Sequence, residues 1–226
     1  MTTMPDRELA RFMQHTLIQP GTTAADITRH CEQAVRYGFD AAMVPAVWVP
    51  LARRILAGST VKLASAIDFP LGCMTTAGKV AEAQALVAAG AQQLDIGVHT
   101  GLLRSGLYDE YRQDIAAVVA CVDVPIKVML ELPLLNAAER ERAVDLAVAA
   151  GAAWLKNASS GAIGVATPED IAFLRERAPA NVGVKASGGV SSRGQVRSLI
   201  DAGADLVGTS AGLSILGVET DRATSY

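Results

Sequence analysis

Short apolar runs alternate with amphipathic stretches along the whole chain, and the alternation is regular enough to read as strand–helix units. Residues 1–14 are expected to form a short helix over one end of the fold. Residues 15–18 read as a first strand, ended by Pro20-Gly21. Thr22 or Thr23 can cap a helix that runs through Ile27, Ala34 and Val35 and stops at Gly38. Apolar strands follow at 39–44, 61–67, 93–98, 126–130, 153–156, 182–185 and 206–208. Helices are expected around 49–56, from a cap at Thr75 or Thr76 to Gly90, and at 108–119, 139–150, 168–177 and 193–202. Pro168 takes its favoured place in a first helical turn. An Ala-Ala-Gly or Asp-Ala-Gly-Ala phrase recurs at 88–90, 149–151 and 201–204, where a helix would feed the next strand through a glycine cap.

Eight short strands, each followed by a helix or helix-like segment, predict a parallel sheet. Many strands are apolar throughout, as expected where both faces are covered. The fold class expected is α/β: a single (β/α)8 TIM barrel spanning 1–226, with a short N-terminal helix and a mobile tail at about 217–226. An open doubly wound sheet is the alternative. Against it, no G-x-G-x-x-G follows the first strand.

Composition narrows the function classes. Half of the 226 residues are apolar, 19% are charged and the net charge is −3, which gives no electrostatic case for nucleic acid or an anionic membrane surface. No apolar run reaches the ~18 residues that span a bilayer. Cys31, Cys73 and Cys121 form neither a disulfide framework nor a zinc pattern, so a reducing cytoplasm is the expected setting. His15, His30 and His99 are too dispersed to suggest a metal site. Trp48 and Trp154 read as packing residues.

The chemistry gathers where strands end. Asp95, Lys127, Lys156 and Lys185 stand in successive strands, separated by 32, 29 and 29 residues. In a barrel that spacing aims an acid and three lysines at the C-terminal mouth, where catalytic groups sit. Desolvation and mutual repulsion lower a lysine pKa, and a free amine attacks a carbonyl to form an iminium that serves as an electron sink. A purely structural set of ion pairs, such as Lys127 with Asp95 or Glu131, is the competing account. The last two strands carry glycine loops, Ser187-Gly188-Gly189-Val190 and Gly208-Thr209-Ser210-Ala211-Gly212, suited to holding phosphate on backbone amides or simply to tight turning.

Together with Phe69-Pro70-Leu71-Gly72 and Lys185-Ala186-Ser187-Gly188-Gly189-Val190, these residues resemble the deoxyribose-phosphate aldolase family, in order from about His15 to Leu216. The resemblance implies a class I aldolase that reversibly cleaves 2-deoxyribose 5-phosphate to glyceraldehyde 3-phosphate and acetaldehyde, with no cofactor and no metal. It implies Lys156 as the Schiff-base lysine, Lys185 beside it to lower its pKa, and Asp95 for proton transfer. Lys127 and Glu131 would support the site. Ser159, Gly188, Gly189, Gly208, Ser210 and the terminal Tyr226 would contact substrate. A homodimer is also implied. The chain departs from the family pattern in three places. The K-T-S-T-G run is Lys156-Asn157-Ala158-Ser159-Ser160-Gly161, and D-H-T-L-L-K-P is Gln14-His15-Thr16-Leu17-Ile18-Gln19-Pro20. Met43 stands where a cysteine is common. These departures bear on the sugar more than on the reaction. A different aldehyde acceptor, a metal-dependent lyase or isomerase, and a non-catalytic phosphosugar-binding barrel remain alternatives.

Overall fold

The computed structural model describes residues 7–218. Eight parallel strands close into a barrel in sequence order. They are β1 (Met13–Thr16), β2 (Ala41–Met43), β3 (Lys62–Ile67), β4 (Gln93–Gly97), β5 (Ile126–Met129), β6 (Trp154–Lys156), β7 (Gly183–Ser187) and β8 (Leu206–Thr209). The helices are α1 (Arg7–Ala10), α2 (Ala24–Tyr37), α3 (Val49–Leu56), α4 (Thr76–Ala89), α5 (Thr100–Arg104), α6 (Tyr108–Ala120), α7 (Ala137–Ala149), α8 (Pro168–Arg177), α9 (Arg193–Asp201) and α10 (Gly212–Ile215). The expected barrel is therefore present.

Its first turn differs from expectation. Among the described residues the N-terminal helix is one turn, and β1 begins at Met13 rather than His15. The reason is closure: β1 pairs with β2 on one side and β8 on the other, in the register Met13↔Val207 and Gln14↔Gly208. The polar Gln14 and His15 interrupt the apolar pattern, so periodicity alone places the strand too late. The predicted helix at 139–150 also starts earlier, at Ala137, because Asn136 and Glu139 form a reciprocal capping box. The short α5 and α10 add to the expected elements; each is about one turn, too brief for periodicity to register.

Strand alternation divides the side chains between two environments. Outward-facing residues such as Leu63, Leu94, Ile96, Val128, Leu155, Val184 and Val207 join the helices in one large apolar cluster. His15 also points outward, and its ring stacks on His30 of α2 at 4.1 Å and on Phe39 at 4.6 Å. Burial holds the His15 pKa down to about 4 and that of His30 well below its usual value, so this pair packs as neutral rings. The inner face is lined differently. Ala41, Met43 and Ala64 make a small separate cluster, and polar and charged side chains share the rest of the interior with Met129, Trp154 and Leu206.

One buried ion cluster lies outside the barrel wall. Lys79 of α4 is fully buried; its Nζ sits 2.7 Å from Asp114 of α6, 3.3 Å from Asp68 after β3, and donates to the Gly97 carbonyl of β4 at 2.8 Å. Asp114 also accepts from Thr76 Oγ1 at 2.7 Å. Asp68 in turn accepts from the Cys73 and Met74 amides at 2.8 and 3.0 Å, which fixes the Phe69-Pro70-Leu71-Gly72 turn over the mouth. Lys79→Ala would leave two carboxylates buried without their counter-charge. It is expected to cost about 3–5 kcal/mol, read as a lower denaturant midpoint at unchanged m-value.

Candidate active site

The inner face collects its charges because alternate residues of β4 to β7 point the same way. Asp95 pairs in register with Lys127 on β5, Lys127 with Trp154 on β6, and Lys156 with Lys185 on β7. Room for the long lysine chains comes from small neighbours. A Cβ at Gly183 would meet the Trp154 ring at 2.3 Å, and one at Gly208 would meet Lys185 Cε at 3.1 Å.

Asp95 is the hub and is fully buried. Its Oδ2 accepts from Lys185 Nζ at 2.7 Å and from Lys156 Nζ at 2.9 Å. Its Oδ1 lies 3.7 Å from Lys127 Nζ and takes no hydrogen bond. Burial alone would raise its pKa; the charges of Lys185, Lys156 and Lys127 more than reverse that and hold the carboxyl well below the usual carboxylate range. The lysines feel the opposite balance. Burial pushes Lys185 down to about 7, Asp95 opposing the shift and the other two ammoniums adding to it. Burial also lowers Lys127, against the pull of Asp95 and Asp40. At Lys185 burial and the neighbouring ammoniums thus outweigh the attraction of Asp95.

The lysines are not equivalent in access. Side-chain exposure is 6% for Lys156, 1% for Lys185 and 0% for Lys127. Lys127 lies one layer deeper, donating to Gln93 Oε1 at 2.6 Å with its ammonium 5.9 Å from the centre of the Trp154 ring. Trp154, expected as ordinary packing, thus borders the charged layer. Beside Asp95, across the β3–β4 ladder, stands Ala66, which lines a cavity of about 430 Å3 with Ile18, Val44, Phe69, Leu71 and Met74.

The loops beyond β6 and β7 are tied together. Asn157 bridges them with both ends of its amide, donating to the Ser187 carbonyl at 3.0 Å and accepting from the Ser187 amide at 2.8 Å. The Ser159 amide donates to both oxygens of Glu131 at 3.0 and 3.2 Å. Burial raises the Glu131 pKa against these hydrogen bonds.

No protein-family model matches the chain. A deoxyribose-phosphate aldolase from Geobacillus sp. (strain WCH70) is 39% identical over 213 residues, 93% of this chain and 96% of its own length. One from Brevibacillus brevis is 41% identical over 207 residues, 91% of this chain and 94% of that one. The chain belongs to the deoxyribose-phosphate aldolase family. A solved deoxyribose phosphate aldolase from Aeropyrum pernix, described as a tetramer, superposes with a TM-score of 0.84 at 31% identity, covering 93% of this chain and 90% of that one.

Within this aldolase-family barrel, Asp95, Lys127, Lys156 and Lys185 converge as the spacing anticipated. Ser159 is buried at the mouth beside Glu131. Gly188 and Gly189 have positive φ of 113° and 64°, and a Cβ on Gly188 would strike the Gly164 carbonyl at 2.3 Å, so close loop packing already requires a glycine there. Gly208 sits against the Lys185 stem, and Ser210 is exposed on the loop after β8. Tyr226 lies outside the described residues. Among the described residues no group of three or more His, Cys, Asp or Glu is placed to hold a metal ion. Gln14 and Gln93 take part in the charged layer, and sequence reading did not single them out as members of it. The signal for Gln93 was a polar residue at an otherwise apolar strand position; Gln14 had in addition its departure from the family's early acid.

The depressed Lys185 pKa carries a stability signature. Between about 7 and 10.5 the unfolded chain binds the proton that the folded chain has lost. The Lys185 contribution to stability therefore rises with pH across that window, by up to about 1.4 kcal/mol per unit. Lys185→Met is expected to flatten the stability–pH curve there by that amount, checked by urea unfolding at stepped pH.

Proposed function

We propose that this chain is a class I aldolase that reversibly cleaves 2-deoxyribose 5-phosphate to glyceraldehyde 3-phosphate and acetaldehyde. The observation that carries the proposal is one carboxylate oxygen shared by two lysine amines, one of them titrating near neutrality, in a barrel of this family.

In this reading Lys156, the most accessible of the three lysines, is the nucleophile. Its ammonium passes a proton to Asp95 Oδ2, which hands it to the neutral Lys185 amine that the same oxygen touches. The freed Lys156 amine attacks the sugar aldehyde carbon, and loss of water from the carbinolamine leaves a protonated iminium. A base takes the proton of the C3 hydroxyl and the C2–C3 bond breaks. Its electron pair flows into the iminium, which releases glyceraldehyde 3-phosphate and leaves an enamine. Protonation at C2 and addition of water then free acetaldehyde and regenerate Lys156. Asp95, with an oxygen that accepts no hydrogen bond, supports proton traffic at these steps. Lys127 acts through charge from the deeper layer, adding to the repulsion that keeps an amine deprotonated.

The amides of Gly188, Gly189, Gly208 and Ser210, with Ser159 and Tyr226, are proposed to hold the phosphate and sugar. Cys31, Cys73 and Cys121 are free thiols, in keeping with a cytoplasmic sugar-catabolic role. The Aeropyrum relative's assembly favours an oligomer of this chain as well.

Borohydride reduction in the presence of acetaldehyde is expected to attach a two-carbon unit to Lys156, located by peptide mass spectrometry. Lys156→Ala should abolish both the adduct and acetaldehyde release from 2-deoxyribose 5-phosphate. Asp95→Asn should lower kcat by about 10²–10⁴-fold. Full turnover by Lys156→Ala would exclude the iminium route.

A further inference from the structure

Gln14 is completely buried inside the barrel and joins the charged layer through both ends of its amide. Its Oε1 accepts from Lys185 Nζ at 2.6 Å. Its Nε2 donates to Asp40 Oδ2 at 2.9 Å and to Gln93 Oε1 at 2.8 Å. Gln93 Oε1 also accepts from Lys127 Nζ, and Lys127 and Lys185 both face Asp95. The orientation of the Gln14 amide follows from its neighbours: a carboxylate can only accept, so the edge facing Asp40 must be the NH2, and the oxygen must face Lys185. The hydrogen bonds then run from Asp95 through Lys185, Gln14 and Gln93 to Lys127, whose ammonium faces Asp95 Oδ1 at 3.7 Å without a hydrogen bond.

The charge inventory gives this amide its significance. The charged and polar groups that face Lys185 are Asp95 from β4, Lys127 from β5, Lys156 from β6 and Gln14 from β1, while β8 presents the uncharged Leu206 and Gly208. Asp40 reaches Lys185 only through Gln14 and is itself paired with Lys62 Nζ at 2.6 Å. Glu131 acts on Lys156 rather than on Lys185. This chain has an amide where the early strand of the family pattern has an acid.

We infer that Gln14 is a positioning residue for the proposed aldol chemistry: its carbonyl oxygen fixes the Lys185 amine against Asp95 without placing a second negative charge beside it. A neutral acceptor steers the amine geometrically yet leaves Asp95 as the sole carboxylate in contact with it. A carboxylate in the same place would hold the amine in its ammonium form to higher pH, with fewer neutral amines available at pH 7. Asp40 locks the amide edge and so selects which end of Gln14 meets the lysine.

The inference rests on the aldolase reading for its consequence but is measured independently of turnover. The double variant Gln14→Glu/Asp40→Asn keeps the number of charges and moves one of them next to Lys185. The amide introduced at position 40 supplies the donor that the new carboxylate at position 14 needs. Lys185 is followed by NMR of 13Cε-labelled lysine through a pH titration, its signal assigned with Lys185→Met. The expected result is an upward shift of the Lys185 midpoint by about 1–3 units, with the acid limb of the kcat–pH profile moving the same way. Gln14→Met keeps the volume and removes the acceptor. It should move the midpoint down by about one unit and lower kcat more than it raises KM. If the double variant fails to fold, Gln14→Met alone decides. A Lys185 midpoint unchanged in the folded variants overturns the inference, whether or not the wild-type chain is an aldolase. A midpoint that moves as stated in a protein that neither traps acetaldehyde nor turns over leaves the charge role of Gln14 standing and removes the functional reading.

Discussion

The structure turns on a carboxylate that is outnumbered. Asp95 lies buried with three ammoniums around it, two of them on one oxygen. Burying a charge is costly unless it is paired, and here the pairing is incomplete. The negative charge is strongly stabilised and the excess positive charge is not. The imbalance is relieved by shedding a proton, and the amine whose pKa reaches about 7 is Lys185. A site with one lysine per acid would be a stable ion pair and a poor source of neutral amine. The surplus of lysine makes the cluster chemically useful.

Holding such a cluster together requires a rigid container. The closed ladder of eight strands supplies it, and the apolar shell between strands and helices anchors each strand from outside. Inside, volume is balanced across the barrel. Long side chains on β4 to β7 are matched by alanines on β2 and β3 and by Gly183 and Gly208. Lys79 and Asp114 tie α4 and α6 to the ends of β3 and β4, so the turn that covers the mouth is fastened to the strand that carries Asp95. The chemistry and the scaffold therefore share β4.

The neutral members of the charged layer matter as much as the ions. Gln93 and Gln14 satisfy Lys127 and Lys185 without altering the charge count. Asn157 performs a related task at the mouth, binding the ends of β6 and β7 through one amide. Buried amides can give and accept at once, so they complete networks that a carboxylate, which only accepts, would leave unmatched.

Much of this was legible in the chain. The alternation of apolar strands and capped helices, with glycine after the helix, fixes eight βα units, and the even spacing from Asp95 to Lys185 fixes their convergence on one face. Local patterns carry that information because helix and strand periods are properties of neighbouring residues. The depth of Lys127, the place of Trp154 beside it, the stacking of His15 on His30 and the burial of Lys79 were not legible, because period says which face a residue takes and not how far it lies from the mouth. The clearest case is Gln14 and Lys185, 171 residues apart in the chain and hydrogen-bonded at 2.6 Å in the fold. No local rule pairs them. They meet only because β1 closes on β8 and completes the ring of strands, and that closure is a fact of tertiary structure alone.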